Sequence, residues 1–315
     1  PSRRLAFAHT RSRSRNVLNV VTTTRRRLSR LVERLPTGQE RPQLANVAHH
    51  DYATMIGRVR TGSRLHFGFL NLSLARERIY GGLGVAVDAP VVSVTAERAD
   101  EIVCEDPGAV TYARLSADAL DVSGADVTVD SAPPRHAGLG SGTQLALATY
   151  VAIARAHDRE PKARTAAPAL DRGGRSGVGV AAFERGGFVV DAGHPRARFT
   201  TDRPRRGEWS VPPVSVRHEV PDDWRFVLVT PDVDPGRSGD SEDASMRAAV
   251  ERADPDIADD IAAIVVGRLL PAIAADDRDG FGTAVAEIDR LNGAWYADEQ
   301  GGVYRPPVGD IVAEL

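Results

Sequence analysis

A glycine-dense turn between an apolar strand and a helix carries the residue types that bind phosphate. Its sequence is Gly138-Leu139-Gly140-Ser141-Gly142-Thr143, and an unbroken helix-forming run follows. Glycines let the backbone take positive φ and approach a ligand closely, while a helix start offers N–H donors and the positive end of the macrodipole. The hydroxyls of Ser141 and Thr143 can bond a phosphate oxygen or reach its metal. We therefore predict a phosphate or pyrophosphate site at Gly138, Gly140, Ser141, Gly142 and Thr143.

Two basic residues stand just upstream of this turn. Arg135 and His136 lie where an anion would gain charge-assisted hydrogen bonds, so we add both to the predicted phosphate site. The alternative is a tight strand-to-helix turn that needs glycine only for its geometry. The turn has neither the Gly-Lys-Ser/Thr of a Walker loop nor the GxGxxG of a dinucleotide-binding fingerprint. A different fold must therefore supply it.

Two pairs of side chains are candidates for substrate contact or catalysis. Arg175 and Ser176 lie beside a glycine turn, from which the arginine could clamp a carboxylate or a 5′-phosphate with two hydrogen bonds. A surface salt bridge is the alternative for Arg175. Arg64 and His66 alternate along a predicted strand and share one face. That face is either a substrate groove or plain solvent.

The acidic candidates imply a metal. Asp191 ends a predicted strand and could act in catalysis by ligating Mg²⁺ or orienting the substrate, with capping of a turn as the alternative. We predict Mg²⁺ as the cofactor, with Asp191 and Ser141 as its ligands. The weaker candidates are His194, Asp240 and Glu242, of which the last two lie at a helix start that Ser241 could cap.

The composition allows a large core and shows a charge asymmetry. Of the 315 residues, 42% are hydrophobic. Residues 1–54 hold eleven Arg and three acidic residues, which leaves 29 basic against 40 acidic residues in the remainder. Lys162 is the only lysine against 39 arginines. An acidic, lysine-poor body is typical of halophilic proteins, and a GC-rich genome is the alternative explanation.

The single cysteine and the Arg-rich segment narrow the cellular compartment and the partners that the sequence allows. Cys104 alone cannot form an internal disulfide and favours a reducing cytoplasm. Residues 1–54 have no apolar run of the kind that a transport signal needs, and no aromatic residues interleave with their arginines. We predict a disordered extension without function, with Met55 as a natural first residue. Because no aromatic residues accompany these arginines, nucleic acid is not expected as a partner. Because no stretch has the length of an apolar membrane span, a membrane is not expected either.

From residue 56 the apolar pattern predicts an α+β protein. Strands are expected at 56–60, 63–69, 85–87, 91–96, 102–104 and 126–129. A hairpin of strands is expected at 179–183 and 187–191, and a further strand at 224–230. Helices are expected at 144–156, 242–253, 256–275 and 278–292.

Four blocks of the sequence carry a resemblance to a known family: RLHFGFLNL (64–72), GLGSGTQLALA (138–148), GRSGVGVAAFERGGFVVDAG (174–193) and PDDWRFVLVTPDVDPGRSGDSE (221–242). In these blocks the chain resembles the GHMP kinase superfamily and, within it, the β-ribofuranosylaminobenzene 5′-phosphate synthases of archaeal methanopterin biosynthesis. The resemblance implies a GHMP kinase fold, with an N-terminal lobe similar to domain 2 of ribosomal protein S5 at 55–171. A C-terminal α/β lobe would span 172–315. A homodimer is compatible with it.

One position separates two activities within this resemblance. Many GHMP kinases are similar in a Ser-Gly-x-Asp element whose carboxylate serves the attacking hydroxyl, whereas this chain has Ser176-Gly177-Val178-Gly179. Glycine cannot act as a base. The resemblance therefore implies transfer of a phosphoribosyl group from phosphoribosyl pyrophosphate to 4-aminobenzoate or 4-hydroxybenzoate, with decarboxylation. The alternative is an ATP-dependent small-molecule kinase that uses another base, such as Asp191.

The chain also differs from the family at its C-terminus. GHMP proteins are similar in a third glycine-rich motif near the end of the chain, and no such motif precedes Leu315. We therefore expect the C-terminal lobe to be incomplete. A remnant that binds ligand without turnover is the third alternative.

Overall fold

The computed structural model describes residues 56–135, 137–202, 204–229 and 240–313, and only the backbone of residues 240–242. Several predictions fall outside these described residues. They concern the extension 1–54 with Met55, the side chains of Asp240, Ser241 and Glu242, and the candidate phosphate ligand His136.

A seven-stranded sheet forms the centre of the molecule. Its strands are β1 (Ile56–Asn71), β2 (Arg78–Arg98), β3 (Ile102–Val103), β4 (Ala125–Ser131), β5 (Phe188–Asp191), β6 (His194–Pro195) and β7 (Val214–His218). The order is β3-β4-β2-β5-β7, and β1 and β6 also pair with β2. Among the strand pairs that the structure describes, β3 and β4 are the parallel pair and the others are antiparallel. The two strands predicted at 56–60 and 63–69 are one strand, β1, with a bulge between Thr61 and Ser63.

Helices flank this sheet. They are α1 (Val110–Leu120), α2 (Ser141–Ala156), α3 (Ala163–Ala166), α4 (Val178–Arg185), α5 (Asp240–Arg252), α6 (Pro255–Ile264), α7 (Leu270–Ala274), α8 (Arg278–Trp295), α9 (Ala297–Gln300) and α10 (Val308–Val312). A π-helical turn, Val265–Leu269, joins α6 to α7. Pro271 follows this turn and has no N–H to continue a regular helix. None of the described helices is both long and apolar enough to cross a membrane.

The long strand β2 connects two hydrophobic cores. Its first half, with Leu83 and Val85 fully buried, packs in a core with β5 and the helices α5 to α8. Its second half, with Val92 and Val94 fully buried, packs in a core with β4, α1 and α2. The turn that leads into α2 therefore sits on a helix that is buried along almost its whole length. Such a helix is a rigid support for a binding site.

The prediction of a β-hairpin at 179–191 is wrong for its first strand. Residues 178–185 form the helix α4, and only 188–191 form a strand. A short apolar run such as VGVAAF fits a buried helix as well as a buried strand, so periodicity alone could not decide. Gly186, with a φ of 61°, ends the helix instead of turning a hairpin.

Two further differences lie in the same half of the chain. Residues 224–229 of the strand predicted at 224–230 have no regular structure. On the side away from β2, β5 pairs with β7, a strand that was not predicted from the sequence, and the helix α1 was not predicted either. Three apolar residues in a row, Phe226-Val227-Leu228, suggested a strand, but pairing with β5 is made by the more polar Val214–His218.

Candidate active site

The predicted phosphate-binding turn leads directly into α2 and leaves the start of that helix open. Gly138 and Gly140 have φ angles of 75° and 68°, a region that other residues rarely adopt. No side chain caps the helix at Gly140, and the first turn of α2 holds no acidic residue. The N–H groups of Thr143 and Gln144 bond the Gly140 carbonyl, so the N–H groups of Ser141 and Gly142 and the positive end of the helix dipole are what the helix start offers to an anion.

Arg64 holds this turn against β1. Its backbone N–H donates to the Leu139 carbonyl at 3.1 Å, and its Nη1 donates to the Gly138 carbonyl at 3.0 Å. A Cβ on Gly140 would lie 2.8 Å from Cγ of Arg64, so this close approach requires glycine. The structure thus brings the predicted substrate-binding Arg64 beneath the phosphate-binding turn, where it adds positive charge.

Ser141 and Arg135 flank the turn on different sides. Ser141 is buried, and its hydroxyl donates to the Pro134 carbonyl over 3.4 Å. Arg135 is exposed, and its Nη1 lies 3.2 Å from the place that a Cβ on Gly108 would take, just ahead of α1. Both residues border the turn, and their contact with phosphate stays a prediction.

An arginine that the sequence analysis did not single out lies beside the same turn. The guanidinium carbon of Arg172 is 5.0 Å from the ring centroid of Tyr112 on α1, and Nη2 donates to the tyrosine hydroxyl. The same carbon is 3.7 Å from the place that a Cβ on Gly142 would take. The only local signal was an arginine ahead of the pair Gly173-Gly174. Nothing in the sequence connects it to Gly142, 30 positions earlier.

Gln144 ties the first turn of α2 to its surroundings. Its side chain is buried, with Nε2 donating to the Gly179 carbonyl at 2.9 Å and Oε1 accepting from the Thr61 hydroxyl at 3.1 Å. These two bonds fix α2 to the start of α4 and to β1. A buried side chain amide with both ends satisfied is a rigid spacer.

A chain of hydrogen bonds runs from β1 through the predicted catalytic Ser176. The Gly68 N–H donates to His66 Nδ1 at 3.2 Å, so the proton of the neutral ring is on Nε2, which donates to Ser176 Oγ at 3.2 Å. Burial lowers the pKa of His66 to about 3, which keeps the ring neutral. Ser176 Oγ accepts from the Val178 N–H and donates to Asp191 at 3.1 Å. The hydroxyl is thus engaged on all sides and orders the start of α4.

Asp191 closes this chain as a buried carboxylate. Besides the bond from Ser176, it accepts from the Gly177 N–H at 2.7 Å and from the Gly193 N–H at 2.8 Å. Burial raises the pKa of Asp191, and the bonds from Gly193, Gly82, Gly177 and Ser176 oppose that rise. The side chain is fully buried and its oxygens already accept these donors. This geometry favours the turn-capping alternative over the predicted roles in catalysis and in Mg²⁺ ligation.

The starts of α2 and α4 meet at Thr143 and Gly179. A Cβ on Gly179 would lie 3.1 Å from Cγ2 and 3.5 Å from Oγ1 of Thr143. A carboxylate at position 179 would therefore project against the first turn of α2. With glycine there, the first turns of α2 and α4 hold no acidic residue, and the Asp191 carboxylate at the start of α4 already accepts from Ser176, Gly177 and Gly193.

Comparison with known proteins agrees with this geometry. The family model of the GHMP kinases N terminal domain matches residues 108–187, which contain the turn, Arg172 and Gly179. The β-ribofuranosylphenol 5′-phosphate synthase of Methanothermobacter thermautotrophicus is 34% identical to this chain over 73% of it and 74% of the relative. The chain belongs to this synthase family. The synthase of the same name from Archaeoglobus fulgidus is 32% identical over 74% of this chain and 75% of the relative.

A solved structure confirms the predicted fold of this family member. Phosphomevalonate kinase from Streptococcus pneumoniae superposes with a TM-score of 0.50 at 13% identity, covering 80% of this chain and 82% of the kinase. Together with the matched domain, this likeness confirms the GHMP kinase fold and the α+β class.

Two predicted residues of the synthase-family chain lie apart from the junction. Arg175 forms an ion pair with Asp243 on α5 at 2.8 Å, with its side chain 14% exposed. Burial alone would lower the pKa of Arg175, but the bond and charge of Asp243, with those of Tyr80, raise it overall. His194 stacks on Phe199 with 3.7 Å between ring centroids, and burial lowers its pKa to about 4. The catalytic role of Arg175 stays a prediction.

The side chains that the structure describes in this synthase-family chain do not form a donor set that fits a protein-held Mg²⁺. Among the described residues, no three His, Cys, Asp or Glu side chains lie close enough to hold a metal ion together. Of the two predicted ligands, Asp191 is enclosed by donors, and the Ser141 hydroxyl bonds a backbone carbonyl. A hydroxyl alone is a poor holder of Mg²⁺, which prefers carboxylates and phosphates.

Proposed function

We propose that this chain transfers a phosphoribosyl group from phosphoribosyl pyrophosphate to 4-hydroxybenzoate, giving a ribofuranosylphenol 5′-phosphate, CO₂ and pyrophosphate. The observation that carries this proposal is the junction of α2 and α4. An open, positively charged helix start faces position 179, where the chain has glycine in place of a carboxylate. Membership of the synthase family supports the same reaction.

The chemistry explains why a base is dispensable at this junction. The ring carbon that bears the carboxylate attacks C1 of the ribose, and the bond from C1 to the pyrophosphate oxygen breaks. The bond from the ring to the carboxylate then breaks, its electron pair restores the aromatic ring, and CO₂ leaves. No net proton is transferred. Phosphorylation of an alcohol, by contrast, must release the hydroxyl proton, which is the work of a general base.

The residues around the turn supply what the departing pyrophosphate needs. Negative charge develops on the leaving oxygen as positive charge develops on the ribose. The N–H groups at the start of α2, the helix dipole and the guanidinium group of Arg64 stabilise that negative charge in place. Because these groups are held by the fold before the ligand arrives, little reorganisation accompanies the reaction.

Mg²⁺ enters this proposal as a companion of the substrate. Phosphoribosyl pyrophosphate can bring the ion on its own phosphate oxygens, a mode of binding in which Mg²⁺ keeps several waters and needs few protein ligands. When bound, the ion would neutralise part of the pyrophosphate charge. The turn with Arg64 would hold the pyrophosphate itself, whether or not the ion is present.

The choice of arene follows the name of the relatives. A synthase named for a ribofuranosylphenol forms a product with a hydroxyl group on the ring, which corresponds to 4-hydroxybenzoate. A hydroxyl para to the attacking carbon supplies electron density to that carbon. We propose the hydroxyl compound as the substrate and 4-aminobenzoate as the poorer one.

A labelling experiment tests the function. The protein is incubated with phosphoribosyl pyrophosphate, Mg²⁺ and 4-hydroxybenzoate labelled in the carboxyl group, and CO₂ and pyrophosphate are counted. Release of labelled CO₂ and pyrophosphate in equal amounts supports the proposal. Consumption of ATP with an alcohol acceptor, without release of CO₂, contradicts it and favours a kinase.

A further inference from the structure

The segment between α3 and α4 holds Arg172 in a fixed position. The backbone N–H of Arg172 donates to the Ala167 carbonyl at 2.8 Å, and its carbonyl accepts from Trp209 Nε1 at 3.0 Å. Trp209 is itself buried. These bonds involve only the backbone of Arg172, so a change of its side chain leaves them in place.

The side chain of Arg172 is aimed at the start of α2 by Tyr112. Its guanidinium group lies over the tyrosine ring and bonds the tyrosine hydroxyl. Tyr112 is buried on α1, at 5% exposure, so its ring cannot turn away without opening the core. The result is a guanidinium held next to Gly142, the second residue of α2.

No carboxylate that the structure describes balances the charge of Arg172. Within that part of the chain, no aspartate or glutamate forms an ion pair with Arg172. Its Nε, like that of Arg175, is buried and lacks a hydrogen-bond partner among the described residues. A cation with a buried, unbonded donor is unfavourable in a folded protein. Arg175, a half-buried arginine three positions further on, does have its carboxylate in Asp243.

We propose that Arg172 binds the pyrophosphate group of the substrate and that Tyr112 is its positioning residue. This inference rests on the proposed function for the identity of the substrate, while the site itself fits an oxyanion such as a diphosphate. The terminal nitrogens of the planar guanidinium can donate to phosphate oxygens, and the helix start meets the same group from the other side. Arg172 thus supplies the counter-charge that the turn residues, being glycines and hydroxyls, do not have.

Titration with inorganic pyrophosphate tests the assignment directly. Calorimetry on the full chain compares the wild type with Arg172→Gln and with the control Arg114→Gln, which removes the same charge from an exposed position on α1. We expect Arg172→Gln to weaken binding roughly 10-fold to 100-fold and the control to change it less than about twofold. Tyr112→Phe, which keeps the ring and removes the hydroxyl, should weaken binding roughly 3-fold to 10-fold.

Steady-state kinetics separate binding of the diphosphate from a general loss of structure. In Arg172→Gln the KM for phosphoribosyl pyrophosphate should rise while the KM for 4-hydroxybenzoate stays as in the wild type. Arg172→Lys should recover part of the affinity, since it keeps the charge and loses the fork of two donors. If Arg172→Gln does not fold, the KM values of Tyr112→Phe and Arg172→Lys are compared with those of the wild type instead.

The outcomes distinguish this inference from the proposed function. Equal pyrophosphate affinity in Arg172→Gln and wild type overturns the assignment of Arg172 and leaves the reaction standing. Weaker binding in Arg172→Gln together with no release of labelled CO₂ by the wild type supports the assignment and overturns the reaction. A wild type that binds no pyrophosphate at all overturns both.

Discussion

Two helix starts meet at the junction of Thr143 and Gly179, and they are completed in opposite ways. The start of α4 has its own anion, because the Asp191 carboxylate accepts the Gly177 N–H at 2.7 Å and Ser176 Oγ accepts the Val178 N–H. The start of α2 has no side-chain cap and no acidic residue in its first turn.

The difference shows which helix start can serve a ligand. Both helices present N–H donors and a positive dipole end, but a built-in carboxylate has already satisfied one of them. Where the protein supplies the anion, the result is stability. Where it does not, and where a guanidinium such as that of Arg172 stands alongside, the helix start is left to interact with an anion from solution.

Removal of the built-in anion should have the largest effect, and it should act on stability. Asp191→Asn places an amide against N–H donors that now lack an acceptor, so we expect the free energy of unfolding to fall by about 3 kcal/mol. Urea denaturation measures it. Asp130→Asn is the matched control, because Asp130 accepts from two hydroxyls at exposed positions. Its expected loss is under about 1 kcal/mol.

The contrast between the two helix starts would be wrong if Asp191→Asn lowered pyrophosphate affinity more than it lowered stability. A folded Asp191→Asn protein that binds pyrophosphate much more weakly, with unchanged stability, would place Asp191 in the ligand site. We expect the reverse, since its oxygens face α4 and not the turn.

Closing the open helix start should have the next largest effect, and it should act on binding. In Gly140→Ala the new Cβ lies 2.8 Å from Cγ of Arg64, and the φ of 68° is strained. We expect pyrophosphate affinity to fall roughly 10-fold or more, with a loss of about 1–2 kcal/mol in stability. Gly207→Ala has a similar strain, with a φ of 86° and nothing near its Cβ, and should leave affinity unchanged.

A carboxylate at position 179 should make the open helix start resemble the completed one. Gly179→Asp introduces negative charge beside Thr143, so pyrophosphate affinity should fall roughly 10-fold through like-charge repulsion. Gly179→Asn, of equal size and neutral, separates charge from crowding and should lose clearly less affinity. Equal losses in the two variants would mean that sterics alone govern the junction.

The smallest expected effect is the pH dependence that His66 contributes. Its pKa is about 3 when folded against 6.5 when unfolded, so the unfolded chain binds more protons between these values. The neutral ring therefore contributes full stability above pH 6.5, and that stability is lost as the pH falls towards 3. His66→Gln, which keeps a donor and an acceptor without titrating, should lose about 1 kcal/mol less than the wild type between pH 7.5 and about 5.8. Urea denaturation at the two pH values measures this, and identical losses would contradict it.

The sequence was sufficient to predict the elements whose formation depends on neighbouring residues. The glycine turn, the start of α2 and the strand β4 ahead of it follow from residue types within about 20 positions. The sequence also shows directly that position 179 is a glycine and not a carboxylate. Prediction failed at α4, because a short apolar run fits a helix and a strand alike, and the choice depends on how it packs against α2 and β5.

The candidate site likewise has features that depend on neighbouring residues and features that depend on residues far apart in the chain. By itself the sequence determined that a glycine-lined helix start would follow β4 and that no carboxylate would stand at position 179, since these are properties of contiguous residues. Only the tertiary structure decided that Arg64 and Arg172 would reach that helix start and that Asp191 would turn to α4. Those contacts join residues far apart in the chain, and burial and charge balance select such partners only once the sheet and its two cores have formed.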